Sequence, residues 1–179
     1  MVPTAITTRE METITTVEDV RLAGRPMKTV SEEQLSAFIN EAENLYIKPL
    51  LSEKLYNDIL SKGVASEPYR TLYEGGVYDS ADGEQVSFMG LRVAISYYVY
   101  AQNIMSGDFQ ATRYGMVIKD NDYSQPLSDK SRSAAYNNAL EIASAYMQDC
   151  LSYCRAKGLL DSTRRKTRSS GSVRIRKIG

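Results

Sequence analysis

The sequence predicts a mainly α-helical fold: a small bundle of three to four helices with a short β-hairpin or extended excursion, an N-terminal arm and an extended C-terminal tail. Three observations predict it. Ser31 and Ser128 stand as helix caps ahead of apolar residues at three-and-four spacing. The run "LRVAISYYVYAQNIM" is apolar on more than one side, as a helix at the centre of a bundle must be. Between these helices, "YGMVIK" is a short β-like run bounded by a glycine and a "KDND" turn.

Taken in order, residues 1–30 are Thr-rich and weakly patterned. Their one local signal is "TVEDVRL", where Thr16 can cap a short helix and Asp19 can reach back. Ser31 then opens an amphipathic helix of about four turns. Gln34 completes its capping box, and Leu35, Phe38, Ile39, Ala42, Leu45 and Tyr46 form its apolar side. Because a proline disfavours helix in the residue before it, Pro49 is expected to stop or bend this helix near Lys48. Pro49 or Ser52 restarts it. Leu51, Leu55 and Ile59 stripe the second segment, which Gly63 ends.

From 62 to 86 the Gly, Asp and Ser of "EGGVYDSADGE" favour turns, and an exposed loop is expected. Leu91, Ala94, Ile95, Tyr98, Ala101 and Met105 share a face of the central helix. After the β-like run, Ser128 caps a long helix with Ala135, Ala139, Ile142, Tyr146, Cys150 and Tyr153 near one face and Gly158 as its stop. Helical throughout, 129–157 would span about 43 Å. The resulting organisation is an N-terminal arm over 1–30, a helical domain over 31–160 and a basic tail over 161–179.

A chain of 179 residues, 42% of them hydrophobic, can bury one real core but hardly two. Its formal charge of zero hides an asymmetry. Seven Lys or Arg and one acid fall in 161–179, so the tail carries +6; the other fifteen bases and twenty-one acids leave −6 on the body. No run approaches the roughly 18 to 20 apolar residues of a membrane helix, and no basic-then-apolar leader opens the chain. A soluble, unexported protein without a membrane partner is expected. Cys150 and Cys154 lie four apart on one helix, an awkward geometry for a disulfide, which favours a reducing compartment.

Histidine is absent, which removes the usual general base near neutral pH and all imidazole metal sites. The glycines of "YEGGVYDSADG" lack the spacing and the Lys-Ser/Thr ending of a phosphate-binding loop. "DSADGE" places Ala81 where a calcium loop needs an oxygen. Two cysteines make half of a zinc site, so core packing suits them better. A protein that is not an enzyme, with no catalytic, cofactor-binding or metal-binding residues, is therefore expected. The thirteen tyrosines admit two readings, as amphipathic core filler in place of the absent tryptophan or as subunit-interface residues.

The tail "STRRKTRSSGSVRIRKIG" also stays open. A solubilising terminus is one reading, and an arm for a nucleic-acid backbone is a second. The third uses an alternation that a DNA arm does not need. Val173, Ile175 and Ile178, set among Arg174, Arg176 and Lys177, suit a strand added to the sheet edge of an acidic partner.

The stretches "ITTVEDVRLAG", "INEAENLYIKPLLSEKLYNDIL" and "YGMVIKDNDYSQPLS", in that order, resemble the head-to-tail connector (neck adaptor ring) proteins of tailed bacteriophages, including the crAss-like and other Bacteroides phages. The shared motif, "AE..YI.PLLG..LY..L", is matched by Ala42, Glu43, Tyr46, Ile47, Pro49, Leu50, Leu51, Leu55, Tyr56 and Leu60, with Ser52 where the family often has glycine. The resemblance implies a virion protein of the neck, assembled in the host cytoplasm. Its copies would form a ring, expected to be dodecameric, that docks under the portal and links the capsid to a tail or second neck-ring protein. Genomic DNA would make transient contact in the channel. Residues 173 to 178 would grip the portal protein. The alternative is a small DNA-binding or packaging accessory protein using the basic tail.

Overall fold

A computed structural model describes residues 12–25, 27, 30–106 and 128–160 in full, and 109–112 and 115–118 as backbone. The helices are α1 (Val17–Ala23), α2 (Glu32–Ala42), α3 (Lys48–Leu51), α4 (Glu53–Lys62), α5 (Tyr69–Glu74), α6 (Leu91–Ser106) and α7 (Asp129–Ala156), and a wide π-helical turn, Glu43–Ile47, joins α2 to α3. Two antiparallel hairpins complete the described chain: β1 (Gly76–Asp79) with β2 (Gln85–Phe88), and β3 (Phe109–Thr112) with β4 (Gly115–Ile118). The mainly helical class with a short hairpin is the architecture expected.

Local chemistry sets the ends. The Thr16 hydroxyl accepts from the Asp19 N–H, and the Asp19 carboxylate accepts in return from the Thr16 N–H and hydroxyl. Ser31 and Ser128 accept from the N–H groups of Gln34 and Ser131, so both serines cap as expected. Gln34 turns back to the Ser31 hydroxyl instead of its N–H, leaving that box half closed. Gly63 ends α4 at φ 80°, its N–H donating to the Ile59 carbonyl.

The helix does not break at Pro49. Proline sits in the first turn of α3, where its missing N–H is tolerated, and the wide turn ahead of it pairs the Lys48 N–H with the Glu43 carbonyl five residues back. The chain turns instead at Ser52, at φ 74° and ψ 151°, a conformation that glycine adopts freely and other residues rarely do. A glycine at this position, as in the motif the sequence resembles, would have a backbone reason. Ser52 compensates in part by capping α4, accepting from the Leu55 N–H at 3.5 Å.

α6 is the centre of the bundle, packing against α7, α1, α2 and α5. Leu91, Ala94, Ile95, Tyr98 and Ala101 are buried as expected, but Met105, at the end of the helix, is 42% exposed. α7 runs about 42 Å, and its buried stripe is Ala139, Ala143, Met147, Cys150 and Cys154. Of the face expected there, Ala135, Ile142 and Tyr146 are only half-buried, so the helix is rotated slightly from that reading.

Two segments pack more than their composition suggests. In the region expected to be an exposed loop, Tyr69, Leu72 and Tyr73 of α5 and Tyr78 and Phe88 of the first hairpin are buried. The ends of this unit meet backbone to backbone, where a Cβ on Gly90 would stand 2.3 Å from the Gly75 nitrogen and one on Gly75 2.6 Å from the Met89 carbonyl carbon. At the N-terminus, the described part of the segment expected to be an arm lies on the bundle. Ile14, Val20 and Met27 belong to the core, and Asp19 of α1 reaches Arg92 of α6 at 3.8 Å.

Candidate functional site

The motif residues build one corner of the bundle, and at its centre is a carboxyl group. Glu43, fully buried, opens the wide turn after α2. One carboxylate oxygen accepts from the Ile14 N–H at 2.8 Å and from the Tyr56 hydroxyl at 2.6 Å, and the other accepts from the Thr15 N–H at 2.8 Å. The turn at Ser52 folds α4 back so that Tyr56, in its first turn, faces Glu43. Glu43 thus ties three parts of the chain: the strap ahead of α1, the wide turn and α4.

Burial pushes the Glu43 carboxyl above its ordinary pKa, against the opposing pull of the Tyr56, Ile14 and Thr15 donors. The Tyr56 hydroxyl is also raised, first by burial and then by its bond to Glu43. Lys48 stands 5.8 Å from the centre of the Tyr56 ring and pairs with Glu53 at 3.3 Å, so a cation covers the corner from outside. Both carboxylate oxygens are occupied by donors of this chain. The arrangement is a clamp for residues 14 and 15.

The other motif residues divide between inside and outside. Ala42, Ile47, Leu51 and Leu55 are in the core, and Leu60 packs against it. Tyr46 is half-buried and stacks on Tyr98 with ring centres 4.6 Å apart. Its oxygen accepts from Gln102 Nε2 at 3.3 Å and lies 3.4 Å from the Tyr136 hydroxyl. That hydroxyl contact, with burial second, pushes Tyr46 up to about 12. Pro49 and Leu50 face solvent, as does Leu45, which is 62% exposed. Leu45 also lines an open cleft of about 470 Å³ with Asn40, Glu41, Asn44 and Gln102. A larger depression, about 570 Å³, lies beside Thr16, Val17, Glu18, Arg21 and Glu32 and holds only the exposed Arg21–Glu32 ion pair.

Six of the described tyrosines belong to the core. Tyr56, Tyr69, Tyr73, Tyr78, Tyr98 and Tyr153 are buried, while the Arg25 guanidinium lies over the Tyr97 and Tyr100 rings at 5.9 and 5.5 Å. Cys150 and Cys154 are free thiols in the core, and burial raises both, Cys154 to about 12. Among the described residues no group of three His, Cys, Asp or Glu side chains could hold a metal ion, and no helix is long and apolar enough to cross a membrane. Val173, Arg174, Ile175, Arg176, Lys177 and Ile178 lie outside the described residues.

Sequence reasoning missed the partners of Glu43. Two of the three are the Ile14 and Thr15 N–H groups, 29 and 28 residues away, and backbone groups leave no mark in a side-chain pattern; the third, the Tyr56 hydroxyl, belongs to a motif position read only as structural.

A family model described as a family of unknown function (DUF6712) matches residues 47–159, more than half of the chain. The chain belongs to that family. The DUF6712 range takes in Ile47, Pro49, Leu50, Leu51, Leu55, Tyr56 and Leu60 of the motif and starts just after Ala42, Glu43 and Tyr46. It also spans the first hairpin, α6 and all of α7. Comparison with curated proteins and with solved structures gives no match.

Proposed function

We propose that this protein is a structural component of a tailed-phage virion, a head-to-tail connector whose copies form a ring under the portal and join capsid to tail around the DNA channel. The observation that supports this reading best is the division of the motif. Ala42, Ile47, Leu51 and Leu55 fix a rigid corner from inside, while Pro49 and Leu50, with Leu45, present an apolar strip outside it. Rigid apolar strips flanked by polar residues suit contacts between copies. In this reading the strip meets the next protomer, the ring is dodecameric, and residues 173 to 178 grip the portal.

A tail or second neck-ring protein docks below. Genomic DNA passes with transient contact, and the net charge of −6 on residues 1 to 160 keeps it from sticking. The role needs no catalysis and no cofactor, and its place is the virion neck after assembly in the host cytoplasm.

The test is retention on purified portal protein. The full chain should be retained, and a chain lacking 169–179 should fold equally well, by circular dichroism, yet lose attachment. Equal retention of both chains contradicts the tail assignment.

The +6 charge of 161–179 favours a second reading, a small DNA-binding or packaging accessory protein. A salt titration separates the two. With about six phosphate contacts, DNA affinity should fall by several orders of magnitude between low and moderate salt, whereas portal binding should depend on Val173, Ile175 and Ile178 remaining apolar.

A further inference from the structure

The first hairpin has an open side. Ser80 donates its N–H to the Glu84 carbonyl, and the register runs on through Tyr78↔Val86 and Gly76↔Phe88. In an antiparallel ladder the pairs between these turn their backbone groups outward, which places the N–H and C=O of Val77 and Asp79 on the edge of β1. Those groups have no backbone partner among the described residues. Tyr78 of β1 and Phe88 of β2 both lie against Tyr153 of α7, so the helix covers one face of the hairpin and leaves the outer edge of β1 with no strand beside it among the described residues. An unpaired edge is a template for another strand.

The edge is also acidic and partly apolar. Glu74, Asp79, Asp82 and Glu84 are exposed, no Lys or Arg occurs from 71 to 91, and none of the four acids is in a salt bridge among the described residues. Val77 and Met89 are 56% and 57% exposed.

The helix that precedes the chain's own tail packs on this hairpin. Near the end of α7 the Tyr153 ring lies 5.3 Å from Tyr78 and 5.0 Å from Phe88, centre to centre, and its hydroxyl donates to the Pro68 carbonyl. Residues 161–172, fully extended, reach up to about 40 Å, ample to return to a hairpin that Tyr153 already touches. What then arrives is Val173 and Ile175 alternating with Arg174 and Arg176, followed by Lys177 and Ile178.

We infer that residues 173 to 178 dock as a third strand on the open β1 edge of the same chain. The main-chain groups of Val77 and Asp79 supply the pairing. The basic side chains meet Glu74, Asp79, Asp82 and Glu84, and this complementarity selects the tail over other strands. The contact goes beyond the neck reading and does not require it, since it forms within one chain and without a portal; because the same six residues are assigned to the portal grip, attachment to the portal has to displace it.

Amide hydrogen exchange on three chains tests it: the wild type, a chain lacking 169–179, and the double variant Val173→Asp, Ile175→Asp, which leaves the sequence of residues 1–160 unchanged. Exchange at Val77 and Asp79 should be about tenfold or more faster in the last two than in the wild type, and the wild-type protection should persist on dilution. Equal rates in all three chains overturn the inference. Protection that fades on dilution overturns it too, because the docked strand then belongs to a second copy. Portal retention is measured separately with the portal protein present, so loss of attachment without a change in exchange, or the reverse, tells the failure of one assignment from the failure of the other.

Discussion

The corner at Glu43 and the contact of α7 with the first hairpin both close the bundle, by opposite means. At the corner a buried carboxylate gathers two backbone N–H groups and one hydroxyl. At the hairpin, Tyr78, Phe88 and Tyr153 stack edge and face, with one neutral hydrogen bond to the Pro68 carbonyl. Polar closure is directional and intolerant, because removing one group strands several others. Apolar closure degrades gradually with volume. The corner should therefore respond more steeply to single substitutions and to pH.

The largest effect expected is from Glu43→Ala. It leaves the Ile14 and Thr15 N–H groups and the Tyr56 hydroxyl without their acceptor and should cost about 4 kcal/mol in urea unfolding. Protection of the Ile14 and Thr15 amides should be lost first. A cost below about 1 kcal/mol would mean that water replaces the carboxylate easily.

The same chemical change made in both regions sharpens the contrast. Tyr56→Phe removes a 2.6 Å bond to a carboxylate and should cost about 2 kcal/mol, whereas Tyr153→Phe removes a 3.1 Å bond to a backbone carbonyl and should cost about 1 kcal/mol. The reverse order would break the comparison. At the turn beside the corner, Ser52→Gly should stabilise by about 1 kcal/mol, since relief of the positive φ outweighs the few tenths lost with the cap.

The smallest effect is the pH dependence. Glu43 is raised by burial, so the folded chain holds this proton more readily than the unfolded chain does. The resulting stability is fully present below the ordinary glutamate pKa and is lost as pH rises through the raised one. Subtracting the urea midpoints of Glu43→Gln from those of the wild type, from about pH 4 to about pH 8, isolates the group. The difference should fall as pH rises. A flat difference means that the donors cancel the burial.

Capped helices were legible because their signals are local. Thr16, Ser31, Ser128 and Gly63 act within one turn of where they stand. The stripe of α6 was legible because its burial is nearly all-round. The α5–hairpin unit was not, since Gly75, Gly76, Asp79, Asp82 and Gly83 overwhelm a window in which Tyr69, Leu72 and Tyr73 keep three-and-four spacing. Pro49 misled because its rule concerns regular helix, and the turn before it is irregular. Of the candidate site, the motif positions were readable as a pattern. Their division into a core set, a clamp at Glu43 and Tyr56 and an outward set at Pro49 and Leu50 was not, because all three follow from how α2, α3 and α4 are angled.

The central claim is that this helical body is one unit of a ring in a phage neck, and the copy number in purified particles tests it most directly. Quantitative mass spectrometry against the major capsid protein should find about a dozen copies per particle, as the one closed dodecameric ring proposed above requires. Absence from the particle would contradict the neck assignment and direct attention to the basic tail and nucleic acid.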